Sequence, residues 1–230
     1  MWVLYGTLRL AFGVAWRWHK MAISFVAAGS TVAGANPTVP VPAGYAANDF
    51  LLLFVAAGTV TTPTGWTSIA GNTIPGTATQ LYYKIASASE SSVSVTVTNT
   101  ATLSGMLAYR GTSGIDVQMS SFNNSSGATS LATSSITTTQ TNDYVISYYA
   151  SGAGVTTWGS APASTTSRLS VNSTATIRGV LLVDEVQASA GATTARTATI
   201  TSSSTLSAFS FAIKETAAAT VNSNFFLLML

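Results

Sequence analysis

One stretch constrains this chain more than any other: Asn48-Asp49-Phe50-Leu51-Leu52-Leu53-Phe54-Val55-Ala56-Ala57. An Asn-Asp turn opens straight into an unbroken apolar run of strand length, which Gly58 closes. A strand covered on one face alternates apolar with polar residues, whereas a run without alternation is covered on both. The same Asn-Asp pair opens a second run, Asn142-Asp143-Tyr144-Val145-Ile146-Ser147-Tyr148-Tyr149-Ala150-Ser151. Both read as central strands, and the rest of the chain is arranged around them.

The segments between them carry strand and turn chemistry. Ile23 to Ala27 reads as a first strand, and Pro37, Pro40 and Pro42 mark an extended edge segment, because proline has no N–H for a ladder. Thr61-Thr62-Pro63-Thr64-Gly65-Trp66 is a loop with Trp66 capping the core, and Leu81 to Ala86 is a further strand. Val93, Val95 and Val97 alternate with Ser94, Thr96 and Thr98, the period of a half-covered strand. Leu103 to Tyr109 completes a first half.

The second half repeats this order. Trp158 follows Asp143 as Trp66 follows Asp49, Leu181-Leu182-Val183 matches Leu81-Tyr82-Tyr83, and Thr197 to Thr201 matches the valine alternation. Thr102-Leu103-Ser104 returns as Thr205-Leu206-Ser207, each followed by an apolar strand and a basic residue, Arg110 or Lys214. The reading is an internal duplication with pseudo-repeats at 21–118 and 119–215. Ser120 to Thr141 reads as a long surface loop with one weak strand at Leu131 to Ile136. Many short strands and no amphipathic helix after residue 20 predict an all-β fold, an antiparallel β-sandwich of jelly-roll type. One sandwich with both runs central is preferred to two small ones, since no linker separates two cores.

The segments 1–20 and 216–230 differ from this body. The first holds Trp2, Trp16, Trp18 and the chain's single histidine, His19, with Leu4, Leu8, Ala11, Ala15 and Trp18 at helical spacing. Three readings stand: residues ahead of a natural start at Met21, an assembly arm, or a membrane-active or targeting segment. As a membrane span it is short, with Arg9 at its middle. The last segment is a spacer, Thr216 to Asn224, followed by Phe225-Phe226-Leu227-Leu228-Met229-Leu230. Too short to span a bilayer, this apolar run reads as a tail held by its own subunit or a neighbour. Trp2, Trp16, Trp18, Phe225, Phe226, Leu227, Leu228 and Leu230 are therefore the candidate subunit contacts.

Little in the chain carries reaction chemistry. There are no cysteines, and no histidine follows Met21, so the body has no thiolate, no Ser-His-acid triad and no His-ligated metal. The basic excess lies in the first twenty residues; from Met21 onward six basic residues face seven acidic ones, with no basic stripe for nucleic acid. No cofactor or metal motif is found. Asp49 and Asp143 could serve a glycosidase only across a shared cleft, and each reads first as a turn-capping side chain. Asp184 and Glu185 are adjacent, so a strand points them to opposite faces. Glu90, Asp116 and Glu215 read as solvated or surface-paired. Trp66 and Trp158, with Tyr82, Tyr83, Tyr148 and Tyr149, are candidates for a sugar-stacking platform. The three Asn-X-Ser/Thr sequons starting at Asn123, Asn124 and Asn172 carry little weight in so Ser/Thr-rich a chain.

Several stretches together resemble a group of tailed-bacteriophage structural proteins. They are Met21-Ala22-Ile23-Ser24-Phe25-Val26, the Pro-rich approach to Asn48-Asp49-Phe50-Leu51-Leu52-Leu53-Phe54, Pro63-Thr64-Gly65-Trp66-Thr67, Tyr82-Tyr83-Lys84-Ile85-Ala86, Tyr109-Arg110-Gly111 and the Phe/Leu-rich terminus. The resemblance covers nearly the whole chain from Met21, while residues 1–20 depart from it. It implies a virion protein with no active site; with the low charge and apolar ends, the expectation is a non-enzymatic component on the particle exterior, in capsid decoration or in the tail or its fibres. The expected partners are copies of itself in a closed oligomer, a trimer for instance, and other virion proteins. The low charge, 7% of residues, suits packed neighbours. The alternative reading is a carbohydrate-binding module that recognises host surface glycans through Trp66 and Trp158.

Overall fold

The computed structural model describes residues 22–58, 60–74, 77–97 and 102–216, and these contain strands, turns and no helix. The first half supplies β1 (Ser24–Ala28), β2 (Val32–Ala33), β3 (Thr38–Val39), β4 (Phe50–Ala56), β5 (Thr67–Asn72), β6 (Thr79–Ile85), β7 (Val93–Ser94) and β8 (Leu103–Arg110). The second supplies β9 (Thr112–Gln118), β10 (Asn123–Ala132), β11 (Thr137–Thr138), β12 (Asp143–Ser151), β13 (Thr166–Val171), β14 (Gly179–Gln187), β15 (Gly191–Ala192) and β16 (Thr197–Glu215).

The halves build one antiparallel sheet each. The first has the order β1-β8-β4-β6-β5, with β2 also on β8; the second has β10-β16-β12-β14-β13, with β9 also on β16. Two-stranded flaps, β3 with β7 and β11 with β15, complete the halves. Opening strands pair with the last, third with seventh and fourth with sixth, the nested pairing of a jelly roll. The chain changes sheets at Gly111, whose φ of 82° suits glycine. The halves thus divide at Gly111, earlier than the 118/119 boundary expected from sequence.

Two-sided burial of β4 explains its unbroken apolar run. Phe50, Leu52, Phe54 and Ala56 enter the core between the sheets, with Ile146, Tyr148, Ala150, Phe209 and Phe211 from the second half. Leu51, Leu53 and Val55 point the other way, under a cover of Val39, Val95, Val97 and Trp66. The second sheet has a matching outer cluster, where Tyr149, Leu181, Val183 and Ala208 lie beneath Trp158, Ala198 and Ile200. The molecule is a β-sandwich of two similar halves with a thinner cover outside each sheet.

Register refines the repeat. Phe50 lies opposite Tyr109 and Ile85, and Tyr144 opposite Ile213 and Val186. Taking Phe50 and Tyr144 as equivalent, Arg110 corresponds to Lys214 and Ile85 to Val186. The identical Thr-Leu-Ser triplets are then one residue out of step. Leu103 faces the inter-sheet core, whereas Leu206 faces the outer cluster. Leu81 and Leu181 are likewise on opposite faces, with Leu182 the true counterpart of Leu81. A slip of one residue exchanges faces, so the literal matches are chance coincidences of Ser/Thr/Leu-rich strands.

Two other expectations change. Only Val93 and Ser94 of the valine alternation join a ladder, although Val95 and Val97 are buried and Ser94 and Thr96 exposed as the period requires. The expected loop at 120–141 contains β10, paired along β16 with two register shifts. Its Asn/Ser-rich sequence hides it from hydropathy, because an edge strand is held by backbone hydrogen bonds rather than by side-chain burial.

Phe54 lies opposite Gly105 in the ladder, and a Cβ on that glycine would come within 2.7 Å of the Phe54 ring. The ring is fully buried, 6.1 Å from Tyr148, and has nowhere to retreat. Gly105→Ala is expected to cost about 1–3 kcal/mol through overpacking, measured as a lower urea midpoint at unchanged m-value.

Candidate functional site

The two Asn-Asp turns have the same backbone need. Asn48 and Asn142 have φ of 71° and 62°, the left-handed region that asparagine tolerates better than most residues. Each turn delivers an aspartate to the start of a central strand. Both lie toward one end of the sandwich, where the Tyr109 and Tyr144 rings approach to 6.4 Å. Their aspartates meet different surroundings.

Asp49 is buried and fully partnered. Its Oδ2 accepts from the Ala46 N–H at 2.7 Å and from Arg110 Nη2 at 2.8 Å, and its Oδ1 accepts from Arg110 Nε at 2.9 Å. Arg110 Nη2 also donates to the Gly44 carbonyl at 3.0 Å. This two-pronged pair ties the 46–49 turn to the end of β8, while the Arg110 side chain stays 39% exposed.

Beside this pair lies a cleft of about 640 Å³. Ala46, Ala47 and Ile85 give it apolar walls, Gly111, Thr112 and Ser113 form a further side, and Thr216 stands at its rim. Thr216 is fixed there by its N–H donating to the Gly111 carbonyl at 2.9 Å. Ile85 is 40% exposed, one of few large apolar side chains so exposed among the described residues. The Arg110 charge is matched by Asp49, so the cleft offers shape and apolar surface more than charge.

Asp143 departs from its expected turn-capping role. It is wholly buried, and no donor reaches either carboxylate oxygen. The backbone N–H of its turn, from Thr139, is taken instead by Asp116 of β9 at 2.7 Å. Burial, then a shared hydrogen bond with Asp116 and the Asp116 charge, push the Asp143 carboxyl up to about 7, against a smaller opposing pull from Lys214. A proton on Asp143 supplies the donor that its surroundings lack. Asp116 itself is held below the usual carboxylate range by its bonds to Thr139, which outweigh its partial burial. The sequence carried half of this signal, the basic residues closing β8 and β16, but not the recruitment of Asp116.

The other acidic residues are tied to structural partners. Asp184 accepts from Arg168 Nε at 2.8 Å, and that guanidinium sits 4.7 Å from the Phe25 ring centroid, bridging the edges of the two sheets. Glu185 pairs with Arg196 on the other face, as adjacent strand positions require. Glu90 accepts from Lys84 Nζ and the Ser87 N–H, both at 2.7 Å.

Trp66 and Trp158 are buried, one in each outer cluster, and Trp158 Nε1 donates to the Val171 carbonyl at 3.1 Å. They lie on opposite outer faces of the sandwich with rings packed inward, so this pair makes no shared exposed platform. Trp2, Trp16, Trp18, Phe225, Phe226, Leu227, Leu228 and Leu230 lie outside the described residues. Among the described residues, no group of three or more acidic or histidine side chains is placed to hold a metal ion, and no helix is long and apolar enough to cross a membrane. Comparison with protein families, curated proteins and solved structures gives no match.

Arg110→Ala leaves the buried Asp49 carboxylate without its charged partner and is expected to lower the urea denaturation midpoint near pH 7, whereas Arg110→Lys should recover part of the loss. For Asp143 the folded carboxyl titrates above its unfolded value, so its neutral form stabilises the fold at low pH. That contribution is complete below about pH 4 and is lost as pH rises through about 7. The slope is bounded at about 1.4 kcal/mol per pH unit for one proton. Asp143→Asn keeps a donor toward Asp116, and Lys214 and Glu215 remain nearby. It should flatten stability against pH across this window and raise it above pH 7, measured by thermal denaturation from pH 4 to 8.

Proposed function

We propose that this protein is a non-enzymatic structural subunit of a bacteriophage particle. It sits on the particle exterior, as capsid decoration or as part of the tail or its fibres, and acts through contacts with copies of itself and other virion proteins. The bacteriophage assignment comes from the sequence resemblance.

The observation that carries the structural role is where the charges go. Eight of the thirteen charged side chains between Ala22 and Thr216 are engaged in four ion pairs, Lys84–Glu90, Arg110–Asp49, Arg168–Asp184 and Arg196–Glu185. Asp143, Arg178 and Glu215 are buried. What faces outward is largely hydroxyl, amide and small apolar surface. Such a surface neither repels its own copies nor steers a charged ligand, and it suits repeated close packing. Stability on a particle also fits a duplicated sandwich with no cysteine to oxidise.

The full chain should form a closed, symmetric oligomer in solution, of one discrete mass by light scattering. Contacts that do not rely on ion pairs keep that mass from low salt to about 1 M salt, where the Debye length falls to about 3 Å. Electron microscopy of particles carrying the chain should then place it on their exterior. A monodisperse monomer at high protein concentration, or absence from purified particles, overturns the reading.

A further inference from the structure

The cleft beside Arg110 lies where the described chain stops. Its walls include Ala46, Ala47 and the exposed Ile85, and Thr216, the last described residue, stands at its rim. The sequence beyond is a small-residue spacer, then Asn222-Ser223-Asn224, then Phe225-Phe226-Leu227-Leu228-Met229-Leu230. Asn and Ser are turn formers, so the chain has reversal chemistry immediately before its apolar run. Eight spacer residues reach at most about 27 Å when extended, which places the run within range of its own cleft. A volume of about 640 Å³ lies within the roughly 300–1,000 Å³ of clefts that enclose a small ligand, enough for several large apolar side chains but not a folded partner.

We propose that the cleft between the 46–49 turn, Ile85 and the Gly111 crossover is the docking site for residues 225–230 of the same chain. Attachment at Thr216 makes docking intramolecular and gives the segment a high effective concentration at this cleft compared with any free ligand. The cleft contributes apolar contact through Ala46, Ala47 and Ile85, and the neutralised Asp49–Arg110 pair leaves no lone charge for the tail to bury. Docking in this way covers an apolar segment that would otherwise promote aggregation. It does not depend on the assembly reading and holds whether the subunit is alone or in an oligomer.

The chain has no cysteine, so two introduced ones report proximity without background. The full-length variant Ala47→Cys/Leu228→Cys, treated with a short bismaleimide, should give mainly a crosslink within one chain. The control Val155→Cys/Leu228→Cys uses a position 79% exposed beyond the end of β12 and should crosslink several-fold less. Adding Ile85→Asp to the first variant should lower its yield several-fold, with the β-sheet circular dichroism unchanged. Equal yields at the two positions, or crosslinks formed only between chains, overturn the proposal. A monomer that keeps the intrachain crosslink supports docking and overturns only the assembly reading; an oligomer lacking it overturns docking and leaves that reading standing.

Discussion

Two-sided burial of β4 and β12 is the constraint on which the rest of the structure depends. A strand with apolar residues on both faces is unstable at a surface, so each central strand needs a partner sheet inside and a cover outside. The partner sheet is the other half of the chain; the cover is the β3–β7 flap with Trp66 over the first sheet, and Trp158 with Ala198 and Ile200 over the second. Trp66 and Trp158 are part of that cover, each closing the outer side of its own sheet. These covers exist because the strands beneath them have no polar face to give to water.

Polar contacts between the sheets then fix how the two halves sit together, with Asn72, Thr77 and Ser207 buried among them. Asn72 on β5 donates to Asn124 of β10 at 2.9 Å and to Ser207 of β16 at 2.7 Å, and Ser207 donates to Thr77 at 2.6 Å. Gln118 of β9 donates to the Ile69 carbonyl on β5, while Arg168 reaches from β13 over Phe25 on β1. These contacts lie at edges where a strand of one half faces a strand of the other. Apolar packing alone would tolerate sliding between the sheets, whereas directional bonds at the edges favour one alignment. Burial between the sheets holds Tyr109 and Tyr148 neutral. Burial raises Tyr109 well above its ordinary range, and the nearby Asp184 carboxylate adds to this.

Much of this architecture was legible in the sequence, and the misses share one cause. Unbroken runs after Asn48 and Asn142 announced central strands, and the positive φ at both asparagines accounts for the repeated Asn-Asp. Alternation at Val93 to Val97 announced a half-covered segment, whose place in an outer cluster and whose two ladder residues only the structure shows. Register escaped, because a Thr-Leu-Ser triplet reads the same on either face of a strand and only its ladder partner decides which way Leu206 points. β10 escaped because an edge strand rich in Asn and Ser has little hydropathic signature. The cleft and the Asp143 surroundings escaped because they depend on pairs such as Asp49 with Arg110 and Asp143 with Asp116, distant in sequence and joined only once the sheets are stacked.

The crossover at Gly111 has a consequence for how such a molecule can misassemble. Each half contributes a whole sheet, and the two sheets meet through one shared apolar interior. Gly111 is the single residue between the last strand of one sheet and the first strand of the other. Two chains that each offered one half to the other would recreate the same interior with no new contact, changing only the path through residue 111. A connection as short as that between Arg110 and Thr112 invites such an exchange where it is strained, and a longer link would favour closure of the two halves within one chain.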